Sequence, residues 1–183
     1  ERLSPIARAD RYGSRINREQ SPLRARSVHY VTIMVASLLP FVVLADTLPI
    51  LPPLGFLMFL GWRIMRPGLL PLWAGVPMGA FDDLFSGQPF GSGVLLWSIA
   101  MIVLEVIEAR FHWLGFWQDW FTARLGASAY ILVAMLVSGA HPSAVTLLAC
   151  LPQIAMAILL YPLVARLIAS FDRFRLSRSR RVG

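Results

Sequence analysis

At 183 residues, with 57% apolar side chains and a mean hydropathy of +0.64, the chain is far more apolar than a soluble domain. Its net charge of +7 comes wholly from arginine and gathers at the two ends beside apolar runs. That placement argues against the nucleic-acid partner that a pI near 11.0 suggests in a soluble protein, because no basic patch is interleaved with aromatic residues. The single cysteine, Cys150, excludes an internal disulfide and reads as a small packing hydrophobe. Composition predicts an all-α integral membrane protein.

Residues 1–27 are polar and arginine-rich, and they read as a cytoplasmic segment that orients the chain and meets anionic lipid. No signal-peptide cleavage pattern follows them. The first span is expected from Val28 to Leu48, ending at Asp46 and the prolines Pro49, Pro52 and Pro53. Asp46 reads as solvated at the outer interface. The next segment, Leu54 to Trp62, gives roughly 16 Å of helix against a hydrocarbon core of about 30 Å. Charge decides whether it crosses. If it does, the chain has six spans and all 17 arginines fall on one side. If it does not, Arg63, Arg66, Arg110, Arg124 and the C-terminal six fall opposite the first seven. The arginine bias of cytoplasmic loops selects six spans, over residues 28–170, with both termini cytoplasmic.

The third span is expected from Pro67 to Phe85, kinked at Pro71 and Pro77, and it carries the chain outward. Gly75, Gly79 and Asp83 fall on one stripe at i, i+4 and i+8. The glycine pair invites close approach of a neighbouring helix, and an ionisable residue on such a face is a candidate functional site. We expect this stripe to receive a partner helix; the alternative for Asp83 is that it caps the turn by accepting backbone N–H groups near Gly87, and the two roles are compatible. Asp82 points about 100° away and reads as solvated. Gly87, Pro89, Phe90, Gly91 and Gly93 shape the hairpin that leads into the fourth span. That span returns to Arg110. Its Glu105 and Glu108 sit far from Asp83 in depth, about 7 Å of helix from the inner boundary against about 25 Å for Asp83. Catalytic carboxylate pairs need about 5–9.5 Å, so the two glutamates read as partners of Arg110 or of an arginine on another helix.

Phe111 to Phe121 is the most aromatic stretch and reads as an interfacial helix on the inner leaflet. The fifth span is expected over about Ala123 to Ala140. The sixth, about Ser143 to Ala169, is expected to be broken at Pro152 and Pro162, with Gln153 bonding across helices. Residues 171–183 form a second basic cytoplasmic tail.

The residues do not assemble an enzyme's site. Gly126-Ala127-Ser128-Ala129 resembles the serine motif of an intramembrane protease, but His141 stands before Pro142 at a helix break near the opposite face. His29, His112 and His141 have no metal-ligand spacing, and no phosphate-binding glycine loop is present, so no metal or cofactor is expected.

The block from Gly79 to Gly93, with Asp83-Leu84-Phe85-Ser86-Gly87-Gln88-Pro89-Phe90-Gly91 at its centre, resembles the signature hairpin of the MreD family of rod-shape-determining membrane proteins. The segment Trp62-Arg63-Ile64-Met65-Arg66-Pro67 and the six-span layout are also similar, so the resemblance covers about Val28 to Ala169. The arginine-rich stretch before Val28 departs from that family's pattern. The resemblance implies a six-helix transmembrane bundle like the substrate-binding component of energy-coupling-factor transporters. It also implies a non-enzymatic subunit of the cell-elongation machinery in the bacterial inner membrane. Its partners would be MreC and, in the same complex, MreB and the RodA–penicillin-binding protein 2 synthase. The alternative function is the substrate-binding component of a small-molecule transporter, with Asp82 and Phe90 lining an outer cavity. Against it, the first span lacks the stripe of alanines that such components use for coupling.

Overall fold

Helix α2 (Leu54–Met65) is apolar around its whole circumference, and such a helix is stable only when surrounded. The computed structural model, which describes residues 22–44, 51–110, 116–139 and 141–176, surrounds it. Every residue from Gly55 to Arg63 is buried. Around it stand α1 (Pro22–Leu44), α4 (Ser92–Arg110), α5 (Phe116–Val137) and α6 (Ala144–Leu176), and all four pack on it. The remaining helix, α3 (Gly75–Asp83), follows a 3₁₀ turn at Leu72–Ala74 and packs chiefly on α4 and also on α1. The described residues are all-helical. Three helices, α4, α5 and α6, are long and apolar enough to cross a membrane, while α1 and α2 contribute shorter apolar stretches.

Contacts along α2 fix the direction of each neighbour. Near its start, Gly55 abuts Ser37 of α1, Phe56 stacks on Tyr130 of α5 with centroids 4.0 Å apart, and Leu51 is held by Gln153 of α6. Near its end, the Trp62 indole donates to Thr32 of α1 at 3.0 Å, Gly61 abuts Ile168 of α6, and Arg63 pairs with α4. The elements therefore alternate in direction, and the start of α1 and the end of α6 lie at the same end of the bundle. All arginines of the described residues fall in that half, carried by the start of α1 and α5 and the end of α2, α4 and α6.

Large apolar side chains also cover the outside: Leu125 and Leu159 are more than 70% exposed. In lipid this carries little penalty, and association rests on close packing rather than on escape from water. Glycines at the helix crossings follow from that. A Cβ on Gly61 would overlap Ile168, and one on Gly55 would overlap Ser37.

Four expectations are corrected here. The third crossing is not one kinked helix from Pro67 to Phe85. Pro67 and Pro71 lack amide donors, Gly68 takes φ +78°, and regular α-helix begins only at Gly75. The sixth helix is not broken by Pro152 and Pro162 but runs unbroken through both. Residues 22–27 belong to α1, and residues 171–176 to α6, rather than to polar tails. Finally, Phe116 to Phe121 form the first turns of α5 instead of a separate interfacial helix. The Asp46 expectation, and those on residues 1–21, 111–115 and 177–183, lie outside the described residues.

Candidate functional site

The hairpin between α3 and α4 is built around one carboxylate. Asp83 ends α3, and the first amides of α4 are unpaired donors by the geometry of any helix start. Asp83 Oδ1 accepts the Gly93 amide at 2.6 Å, and Oδ2 accepts the amides of Gly91 at 2.9 Å and Val94 at 3.2 Å. The Ser92 hydroxyl donates to Oδ1 at 3.3 Å. Negative charge at a helix N-terminus also meets the positive end of the helix dipole. The chain reaches this geometry through Gly87 (φ +67°) and Gly91 (φ +98°), and the Ser92 amide is taken by the Pro89 carbonyl at 3.0 Å. The capping alternative for Asp83 is the one present, with its donors at Gly91 to Val94 rather than near Gly87. The turn itself carries Phe90 outward, 74% exposed.

The glycine stripe faces the same helix. A Cβ on Gly79 would lie 2.5 Å from the Gly93 carbonyl oxygen, and one on Gly75 would lie 3.0 Å from that of Trp97. Gly93 reciprocates, since its Cβ would lie 2.8 Å from the Gly79 carbonyl oxygen. Gly75, Gly79 and Asp83 are therefore committed to α4 of this chain. The expectation that the stripe receives a partner's helix is corrected: the adjacent span arrives first, joined by a turn too short to leave the face open.

Asp82 is also corrected, being 7% exposed rather than solvated. The face 100° away from Asp83 meets α1 and α5 because α3 packs into a corner. There the Asp82 carboxylate is flanked by the hydroxyls of Ser37 and Tyr130, and the Trp97 indole lies beside Tyr130. The side-chain polar atoms of Ser37, Tyr130 and Trp97 are buried without a hydrogen bond of good geometry. Beside this cluster, a cavity of about 200 Å³ is lined by Pro53, Gln88, Tyr130, Ser138, Cys150 and Gln153, among others. Phe90 and Asp82 do not line it. Gln88, from the hairpin, does.

At the opposite end, Arg63 is 3% exposed and is paired with Glu105 and with Glu108, the latter at 2.6 Å. Arg66 and Arg175 both pair with Asp172, Arg175 at 3.0 Å. The glutamates thus serve an arginine of another helix, the second of the two partners expected for them. This layer is a bundle length away from Asp83, so no paired-carboxylate site forms. Gln153 bonds across elements as expected, donating to the Leu51 carbonyl at 2.8 Å, and Cys150 rests against Met135.

Ser37, Trp97 and Tyr130 escaped the sequence reading. Each sits on an apolar helix with no charged neighbour, and only the convergence of α1, α4 and α5 on Asp82 gives them a common site. Scans of the chain against family models, curated proteins and solved structures found no match.

Proposed function

We propose that this chain is a non-enzymatic scaffold subunit of the bacterial cell-elongation complex, of the kind formed by MreD proteins. In this reading it sits in the inner membrane with its arginine-rich half and both termini cytoplasmic, in contact with anionic lipid. It binds MreC, and through that complex supports MreB-directed peptidoglycan synthesis by RodA and penicillin-binding protein 2. A bundle like that of energy-coupling-factor substrate-binding components is part of the same proposal.

The observation that carries the reading is the hairpin from Asp83 to Gly93. The residues that make up the resemblance have structural work in it: Asp83 caps α4, Gly87 and Gly91 take positive φ, the Pro89 carbonyl receives Ser92, and Gly79 and Gly93 interlock. The strong charges at the other end, Arg63, Glu105, Glu108 and Asp172, are paired within the chain. Such an arrangement suits a rigid platform better than bond-making chemistry.

The test is detergent co-purification with the matching MreC, using an unrelated single-span protein as the control. We expect a stable complex with MreC alone. A folded chain that captures no MreC overturns the proposal. Variants at Gly79 are poor reporters here, because they disturb α4 before they reach a partner. One observation favours the transporter reading as a second one: the cavity beside Asp82 carries the amides of Gln88 and Gln153 and the Ser138 hydroxyl among its apolar side chains.

A further inference from the structure

We propose that the cavity between α5, α6 and the α3–α4 hairpin is a binding site for a compact, uncharged molecule carrying an amide or lactam group. The proposal is independent of partner docking and is tested on the chain alone.

The cavity's volume, about 200 Å³, is below the usual range of roughly 300–1,000 Å³ for drug-sized ligands, which restricts it to a single small ring. Its hydrogen-bonding groups are directional. Gln153 uses its amide nitrogen on the Leu51 carbonyl, which leaves its side-chain oxygen as an acceptor. The Gln88 side-chain amide meets the Ser92 hydroxyl at 3.3 Å, and with either end on Ser92 at least one of its N–H groups remains a donor. Ser138 donates to the Ala134 carbonyl at 2.7 Å and keeps its lone pairs. Tyr130 contributes its ring, since its hydroxyl is buried against Asp82. One donor and two acceptors, set among the Tyr130 ring, Pro53 and the sulfur of Cys150, complement a planar group that offers both N–H and C=O.

The lining also selects against charge. None of its side chains is ionic, so a carboxylate entering it leaves water without a cation to meet it. The Asp82 carboxylate, beside the Tyr130 hydroxyl, repels an anion further.

The site is tied to the hairpin. Gln88 lies between Gly87 and Pro89, and its side-chain amide meets the same Ser92 hydroxyl that donates to Asp83. The Asp83 cap therefore sets the position of the cavity's donor.

The experiment is ligand-observed saturation-transfer NMR on the purified chain in lipid nanodiscs. The probes are uracil and nicotinamide, and benzoate is the charged control of similar size. We expect saturable transfer to at least one neutral ring and none to benzoate. Gln88→Leu should weaken binding tenfold or more. Ala134→Phe, which fills the cavity, should abolish it. Elution volume and circular dichroism identify folded variants. The proposal is overturned if the wild-type chain binds neither neutral ring, if benzoate binds equally, or if folded Ala134→Phe binds as the wild type does.

Discussion

Asp83 and Gly93 define each other's positions. The Asp83 carboxylate accepts the Gly93 amide at 2.6 Å, and a Cβ on Gly93 would stand 2.6 Å from that same oxygen. The short reach of an aspartate and the missing side chain of a glycine are both needed. The cap therefore holds α3 against α4 as well as ending one helix and starting the next.

Removing the cap costs stability. Asp83→Ala leaves three backbone amides without their acceptor, and we expect a loss of about 2 kcal/mol, with Asp83→Asn losing less because one oxygen remains. Reversible SDS unfolding of the purified chain measures both. Equal stability of the alanine variant and wild type would refute the capping account.

The neighbouring aspartate should behave oppositely. Asp82 is buried, and no arginine of the described residues pairs with it. Asp82→Asn removes a buried charge and its repulsion with Asp83, while keeping an oxygen for Ser37 and Tyr130. In the same SDS titration we expect this variant to match or exceed the wild type, so the two aspartates separate in sign.

Glycine positions separate by mechanism. Gly79→Ala places a Cβ 2.5 Å from the Gly93 carbonyl oxygen, and neither helix backbone can retreat without losing the cap. At Gly87 the surroundings are open and only the φ of +67° is strained, at a cost of about 1 kcal/mol. We expect Gly79→Ala to be the more destabilising of the two by unfolding midpoint, and the reverse order would contradict the interlock.

Arg63 should be costly to remove alone and cheaper to remove with its partners. Arg63→Met leaves Glu105 and Glu108 facing each other without the buried cation. We expect a loss of about 2 kcal/mol, below the 3–5 of fully buried pairs because both glutamates are partly exposed. Adding Glu105→Gln and Glu108→Gln should restore at least half of it. Additive losses in this mutant cycle would show that the three do not act together.

Trp62 anchors α2 to α1 through one hydrogen bond. Trp62→Phe keeps most of the buried ring but drops the donor to Thr32, and about 1 kcal/mol should be lost. Thr32→Val should cost a similar amount, and the double variant little more than either. Independent losses in the unfolding midpoint would remove this contact from the account.

Much of the molecule was legible in the residues themselves. Apolar composition and arginine placement announced a membrane bundle, and the separation of Glu105 from Asp83 followed from counting along two helices. That the glutamates pair with an arginine also followed, but the residues leave open the choice between Arg110 and an arginine of another helix, and the packing gives it to Arg63. The hairpin was legible because glycine and proline dictate local backbone geometry wherever they occur.

The remainder depended on which helix arrived where. A glycine stripe states that a backbone approaches closely, but it cannot state whose, and here α4 of the same chain occupies it. Helical spacing puts Asp82 and Asp83 on different faces without saying which face meets protein. The corner between α1, α4 and α5 buried both, and it brought Ser37, Trp97 and Tyr130 together from across the sequence. Periodicity is a property of one helix and is written in its residues. Burial and partnership belong to helix pairs, and only the packed bundle decides them.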